Sequence, residues 1–310
     1  MEKQDFKIMP TDNLLLAGHI EENSISLEVK IYNQEDDIYV HHEIYLPAYP
    51  LCFEYLDFSS DSDSKVNFLA IGDMQKDINI WDLDTVDALD PILTLTGHKD
   101  SVLDLSWNSL TRKTLASVSA DKTARLWDLE TKKTTQKFDF YKCNVQSVAF
   151  HPVEAHILLT GDCSGRASLI DCQSGSVKKW NVCKDEVEKV MWNRYNPFTY
   201  FVATSEGFVY CIDSRNESSN LFTLKAHSQM ISGVELSSSC NGCLVTASAD
   251  KLVKVWDVKE NQPKFVKEID PQVGTILSLS ANPDYPFVFA VSGDNIAENM
   301  KVLDISTFKA

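Results

Sequence analysis

No stretch of this chain approaches the ~18 consecutive apolar residues that a membrane-crossing helix needs. Its opening residues, MEKQDFKIMPTDN, also lack the apolar core of a secretory signal. Basic residues are scarce: 29 Lys and Arg stand against 45 Asp and Glu, a net charge of −16. So acidic a chain is ill suited to coating nucleic acid over its whole surface, because phosphate binding needs a basic face; a local basic patch remains compatible with the total. There is no phosphate-cradling GxxxxGK[ST] loop, no HExxH and no GxSxG. Gly-rich linkers and long helical periodicity are missing too. The expectation from these absences is a soluble, intracellular protein of one domain. In that compartment the eight scattered cysteines (52, 143, 163, 172, 183, 211, 240 and 243) read as reduced core residues. The sequon Asn216-Glu217-Ser218 carries no meaning there.

What the chain does contain is a repeat. Thr96 to Glu130 reads TGHKDSVLDLSWNSLTRKTLASVSADKTARLWDLE, opening on Gly97-His98 and closing on Trp127-Asp128. Between them, apolar residues alternate in short runs separated by polar turns, the pattern of strands. A Gly-His start and a Trp-Asp end around such strands mark one WD repeat, equivalent to one four-stranded propeller blade. The unit recurs at Leu224 to Lys259 with an offset of 129 residues, Ala226-His227 opening it and Trp256-Asp257 closing it. Further units close at Trp81-Asp82, Ile170-Asp171, Ile212-Asp213 and Leu303-Asp304, and a weaker first unit closes at SLEVKIYN (Ser26 to Asn33). The closing aspartates step by 46, 43, 42, 44 and 47 residues. That period predicts an all-β, seven-bladed WD40 β-propeller over residues 13–310. Residues 1–12 form an N-terminal segment, in which Asp5 to Met9 (DFKIM) is a candidate for the strand that closes the last blade or for the innermost strand of the first. The Ser/Asp-rich stretch Phe58 to Lys65 reads as a solvated excursion between two strands.

In the two strong repeats the residue types imply a buried hydrogen-bond chain. A loop histidine bonds an Asp in a tight turn and a Ser or Thr on the second strand, which in turn reaches the indole N–H of the third-strand Trp. The two sets are His98, Ser117, Asp121 and Trp127, and His227, Thr246, Asp250 and Trp256. A hydrolase triad is the competing reading of His-Ser-Asp. Its duplication at one offset inside a structural repeat favours a structural role. The other blades carry Tyr49, Tyr141, Cys183 and Gln272 at the histidine register, which leaves apolar packing to hold them. Cys240-Asn241-Gly242-Cys243 has no second ligand pair for a zinc knuckle and reads as a two-residue Asn-Gly hairpin turn flanked by cysteines. His41-His42 reads as one outward and one packed residue. No cofactor, metal site or catalytic residue is expected.

Four stretches lie outside the generic WD pattern: PTDNLLLAG (Pro10 to Gly18), LEVKIYN (Leu27 to Asn33), YVHHEIYLPAYPL (Tyr39 to Leu51) and NIWDLDTVDALDP (Asn79 to Pro91). Together with GHKDSVLDLSWN (Gly97 to Asn108) and GCLVTASADKLVKVWD (Gly242 to Asp257), they resemble the periodic tryptophan protein 1 family. This is a nuclear and nucleolar WD-repeat family associated with ribosome assembly. The resemblance implies a non-enzymatic scaffold in ribosome biogenesis and pre-rRNA processing, working as a monomer within a larger complex. Its partners would be pre-ribosomal assembly factors or ribosomal proteins, with direct RNA contact not favoured by the net charge. Family members carry an acidic N-terminal extension, a lysine-rich insertion before the third unit and a C-terminal tail. Here Thr94-Leu95-Thr96 runs straight into Gly97-His98 and the chain stops at Ala310, so the resemblance is to the propeller portion. The alternative is a WD adaptor from another system, either chromatin and transcription regulation or a ubiquitin-ligase substrate receptor.

Recognition by such a scaffold falls naturally to the loops before each inner strand, which can vary without disturbing the sheets. After the histidine register these loops read Lys99-Asp100, Lys142-Cys143, Lys184-Asp185 and Ser228-Gln229. Lys99, Lys142 and Lys184 at one height would form a local basic arc for an acidic partner or rRNA phosphates, with Asp100, Asp185 and Gln229 beside it. The alternative is that these are solvated loop charges.

Overall fold

The computed structural model describes residues 8, 12–21, 24–32, 38–57, 66–216, 219–295 and 298–307. Among them the regular structure is all strand, twenty-six strands in seven antiparallel sheets. Each sheet is one blade of an all-β, seven-bladed WD40 propeller fold. The chain divides into two compact units, Met1–Lys142 and Cys143–Ala310.

The first unit holds three blades. The first comprises β1 (Asn13–Glu21), β2 (Ser24–Tyr32) and β3 (Ile38–Tyr45). The second comprises β4 (Pro50–Leu56), β5 (Phe68–Asp73), β6 (Ile78–Asp82) and the short β7 (Leu93–Leu95). The third, built from the stretch that revealed the repeat, has β8 (Val102–Trp107), β9 (Thr114–Ser119), β10 (Ala124–Asp128) and β11 (Lys133–Phe138). The second unit holds four. The fourth blade has β12 (Val145–Phe150), β13 (Ile157–Asp162), β14 (Arg166–Asp171) and β15 (Val177–Asn181). The fifth has β16 (Val187–Trp192), β17 (Thr199–Thr204), β18 (Phe208–Asp213) and β19 (Phe222–Lys225). The sixth has β20 (Ile231–Leu236), β21 (Cys243–Ser248), β22 (Val253–Asp257) and β23 (Lys264–Ile269), and the seventh β24 (Ile276–Ala281), β25 (Val288–Gly293) and β26 (Met300–Asp304).

Register identifies the strands of the two three-stranded sheets. In the third blade the pairing jumps from Val102 to Asp104, so Leu103, the second residue of the inner strand, is a bulge. The same jump occurs at Leu51, Gln146, Glu188, Ser232 and Leu277. It sharpens the local twist at the start of each inner strand. β24 carries it, so β24–β26 are inner, second and third strands. β1 has no such jump. The first sheet's irregularity falls at His41 on β3, as the third and sixth sheets have one at Thr135 and Val266 on their outermost strands. β1–β3 are therefore second, third and outer strands. Packing agrees: a Cβ on Gly18 of β1 would meet Pro50 and Phe53 of β4, as one on Gly72 of β5 would meet Val102 of β8. Of the segment Asp5 to Met9 only Ile8 is among the described residues, where it is buried in the cluster of Leu27, Val29, Ile44 and Trp81. The remainder of that segment, the Ser/Asp-rich excursion and two residues of the sequon lie outside them.

Burial follows strand position. The second strands β5 (FLAIGD) and β17 (TYFVAT) are buried almost end to end, because both faces meet neighbouring sheets of the same unit. They accordingly read as near-continuous runs of small and apolar residues, whereas the outer strand β11 (KTTQKF) is almost wholly exposed. Where sheets approach most closely no side chain fits: a Cβ on Gly161 of β13 would run into the Val187 side chain of β16.

Adjacent blades are also joined by polar links. In the first unit Trp107 N–H donates to Glu54 Oε1 at 2.7 Å, and the Arg112 guanidinium bonds Asp57. In the second, His151 Nε2–H donates to the Pro197 carbonyl (2.8 Å), Tyr195 Oη–H to the Ser237 carbonyl (2.8 Å) and Ser237 Oγ–H to the Pro286 carbonyl (2.6 Å). These three links run from the fourth blade to the seventh.

Candidate functional site

The histidine loops and the turns they meet are built by local sequence. Ser119-Ala120-Asp121-Lys122 and Ser248-Ala249-Asp250-Lys251 end the second strand with a hydroxyl that accepts the N–H of the aspartate two residues on (3.0 and 3.1 Å). That hydroxyl also donates to a carbonyl of the facing loop, Asp100 (3.1 Å) or Gln229 (3.3 Å). The aspartate then gathers the loop. Asp121 Oδ2 accepts His98 Nδ1 (3.0 Å) and Lys99 N–H (2.9 Å), while Oδ1 accepts Thr123 Oγ1 (2.6 Å) and Thr123 N–H (3.0 Å). Asp250 holds His227 Nδ1 (3.0 Å), Ser228 N–H (3.0 Å) and Leu252 N–H (3.2 Å).

From each histidine the chain continues inward. His98 Nε2 lies 2.7 Å from Ser117 Oγ, which also receives Trp127 Nε1–H at 2.7 Å. His227 Nε2 lies 2.8 Å from Thr246 Oγ1, which receives Trp256 Nε1–H at 3.0 Å. One proton arrangement satisfies every atom. An ionised Asp can only accept, so Nδ1 carries the proton; Nε2 then accepts the hydroxyl hydrogen, and the hydroxyl oxygen accepts the indole N–H. The electrostatics match this neutral imidazole. Burial lowers the pKa of His98 against the opposing pull of Asp121, with Arg125 adding to the depression. Burial likewise lowers His227 despite Asp250. Burial alone would raise both aspartates, but hydrogen bonds from Thr123, Lys99 and His98 hold Asp121 below its ordinary value, and those from Ser228, His227 and Leu252 do the same for Asp250. Ser117 and Thr246 are fully buried with their hydroxyls committed on both sides, so a substrate has no route to them. The arrangement can tie strands together; it cannot present a nucleophile.

The second, fourth and fifth blades are not held by apolar packing alone, which corrects the reading from the histidine register there. In the second and fourth blades the hydroxyl that ends the second strand is replaced by a buried carboxylate. Asp73 Oδ1 accepts Gln75 N–H (2.7 Å), and Asp162 Oδ1 accepts Ser164 N–H (2.8 Å) and Ser164 Oγ–H (2.6 Å). The signal was present in IGDMQ and TGDCS, one turn away from the histidine position. Cysteines supply loop links in the fourth and fifth blades: Cys163 Sγ–H donates to the Asn144 carbonyl and Cys183 Sγ–H to that of Asp185, each at 3.2 Å.

The rim residues lie on the loops before the inner strands. Lys99, Asp100, Lys142, Lys184 and Gln229 are exposed and Asp185 is half-buried. Lys99 and Lys142 belong to the first unit and Lys184 to the second. Their loops are fixed by backbone bonds, as at Lys99, while no ion pair among the described residues engages the three ammonium groups.

Cys240–Cys243 forms a β-turn, with Cys243 N–H donating to the Cys240 carbonyl (3.2 Å) and Gly242 at φ 88°. It sits within the longer connection 237–242 rather than as a two-residue hairpin, because Ser237 extends the loop to bond Cys240 N–H and the neighbouring Pro286 carbonyl. His42 is buried and His41 half-buried, their Nδ1 atoms 2.8 Å apart at the bulge of β3. Burial and the adjacent His41 lower the His42 pKa, with Asp87 and Asp84 opposing. Among the described residues no group of three or more His, Cys, Asp or Glu is placed to hold a metal ion, and no helix is long and apolar enough to cross a membrane.

The family described as WD domain, G-beta repeat matches residues 89–128 and 218–257, the two blades that carry the tetrads. Periodic tryptophan protein 1 homolog of Drosophila melanogaster is 35% identical over 94% of this chain and 68% of its own length. Periodic tryptophan protein 1 of Saccharomyces cerevisiae is 30% identical over 99% of this chain and 65% of its own. The E3 ubiquitin-protein ligase COP1 of Pisum sativum is 24% identical over only 67% of this chain and 31% of its own. The chain thus spans about two thirds of the length of its periodic tryptophan protein relatives, and the likeness to them runs through the blades that lack the WD signature as well as those that have it. The chain belongs to the periodic tryptophan protein 1 family.

Proposed function

We propose that this protein is a non-enzymatic WD-repeat scaffold that joins protein, and in part ribonucleoprotein, assemblies in ribosome biogenesis and pre-rRNA processing in the nucleus and nucleolus. The observation that carries this reading is identity to the periodic tryptophan proteins over 94% and 99% of the chain, beyond the two generic repeats. The fully committed hydroxyls of Ser117 and Thr246 support the non-enzymatic part. In this reading the tetrads hold the loops rigid, and the exposed Lys99, Lys142 and Lys184 meet acidic protein or rRNA phosphates. The test is affinity purification of the tagged protein from cells beside a K99E/K142E/K184E version. Ribosomal precursor proteins and pre-rRNA should come with the first, at an occupancy that falls with salt, and be depleted with the second. Recovery of histones or ubiquitin-ligase subunits instead would favour the adaptor reading. Unchanged, salt-independent recovery by the triple variant would move the contact away from these lysines.

A further inference from the structure

The outer strand of a blade is a sheet edge, and exposed edges invite unwanted strand pairing unless charged or kept short. Five of the outer strands obey this rule. β7 is three residues long; β11 carries Lys133 and Lys137, β15 Lys178 and Lys179, β19 Lys225, and β23 Lys264 and Lys267. β3 departs from it: among the described strands it is the longest of the six at eight residues, IYVHHEIY, it lies at the edge of its sheet, and its one charged residue is Glu43, with no lysine, arginine or proline. Ile38 (38% exposed), Tyr39 (51%), Val40 (44%) and Tyr45 (68%) present apolar surface on both faces of that edge.

The charge around β3 is equally one-sided. Residues 1–95 hold 20 of the 45 Asp and Glu but 5 of the 29 Lys and Arg, so the remainder of the chain is close to neutral. Glu43 on β3 is exposed, and the exposed Asp84 and Asp87 lie close enough to His42 to act on its ionisation. An edge of this kind could pair with a second copy of itself, but two such acidic regions would repel along the whole contact.

We propose that β3 is a docking strand for a basic, extended polypeptide segment of another protein, which adds to the first blade as a further strand. Main-chain hydrogen bonds to β3 supply register, alternate apolar side chains pack on Tyr39, Val40 and Tyr45, and lysines or arginines between them face the surrounding carboxylates. β3 carries none of the three loop lysines, and the proposal stands independently of the ribosomal reading.

The test uses the full chain and a fluorescent ten-residue peptide alternating lysine with valine and threonine. Two controls accompany it, one with glutamate for every lysine and one with alternate amides N-methylated. The protein is compared with a Y39K/V40K variant, which gives β3 the edge charges of its counterparts at exposed positions. The lysine peptide should bind, with affinity falling as salt rises. The variant should bind at least tenfold more weakly at an unchanged melting temperature, and both control peptides should lose tenfold or more. The proposal is overturned if the lysine peptide fails to bind, if the glutamate or N-methylated peptide binds as well, or if the variant keeps its affinity. Sedimentation across protein concentrations provides a further check: a dimer that the two lysines dissolve would replace the foreign segment with a second copy.

Discussion

The fifth and sixth blades are consecutive in the chain and make the same turn by different chemistry. In the fifth, Thr204-Ser205-Glu206-Gly207 places glycine at φ 79°, and its carbonyl accepts the N–H groups of Ala226 and His227. In the sixth, Lys251 takes the equivalent left-handed position at φ 73°, a region that costs an ordinary L-residue about 1–2 kcal/mol. The third blade does the same at Lys122, φ 65°, and the fourth uses Gly165, φ 77°. A carboxylate explains why the strained turns hold: Asp121 and Asp250 gather the N–H groups on either side of the turn and tie it to a histidine loop. The fourth and fifth blades put glycine at this position, the fourth with the Asp162 carboxylate beside it, whereas the third and sixth anchor a lysine there with an aspartate tied to a histidine loop. The anchored pair are the two that match the WD family.

The comparison breaks most directly at the anchor. Asp121→Ala or Asp250→Ala leaves a buried imidazole N–H and backbone N–H groups without acceptors, which should cost about 1–3 kcal/mol each. The equivalent Glu206→Ala in the fifth blade, where the turn rests on Gly207, should change stability by less than about 0.5 kcal/mol. Urea denaturation of the three variants side by side measures the contrast; equal midpoints would remove the distinction between the blade types.

A smaller effect should appear with pH. The folded-state pKa values of His98 and His227 lie below their ordinary value of 6.5, so the folded protein binds fewer protons there than the unfolded chain. Their contribution is therefore complete above about pH 6.5 and is lost as pH falls through and below it. The depressed Asp121 and Asp250 lose theirs further down, below their ordinary 3.8. Between pH 7.5 and 5.5 the wild-type urea midpoint should drop more than that of H98Q/H227Q. Glu235, raised to about 7 by burial, acts in the opposite sense but is common to both proteins, so the difference is the quantity to read. Parallel pH profiles would mean that the histidines are not held neutral.

The smallest effect concerns strain. Lys122→Gly and Lys251→Gly should relieve the left-handed cost but add freedom to the unfolded chain, for a net gain of no more than about 1 kcal/mol. A loss of more than that would show that the lysine side chains themselves hold the turn.

Much of this was legible beforehand. The repeat period located every blade, and the equal spacing of His, Ser or Thr, Asp and Trp located both tetrads, because each lies within one repeat. What was missed depends on groups brought together from different repeats or disguised by substitution. Asp73 and Asp162 do the work of Ser119 with another side chain, so a search at the histidine register passes them by. Glu54 and Trp107, or Tyr195 and Ser237, are more than forty residues apart, and no periodicity says which loops will touch. The strand that opens the first sheet could not be assigned from apolar pattern alone; it took the position of the bulges to show that β1 is a second strand.

The links among the loops of the second unit bear on how its blades come apart. His151, Tyr195 and Ser237 each give a hydrogen to a carbonyl in the next blade, and Ser237 also accepts Cys240 N–H from its own loop. Opening one blade thus strands a donor on one side and an acceptor on the other, so a local excursion is penalised by both neighbours. Four sheets that could have exchanged their amide hydrogens independently are thereby coupled toward one opening event, with a free energy closer to that of unfolding the whole unit than to that of any single blade.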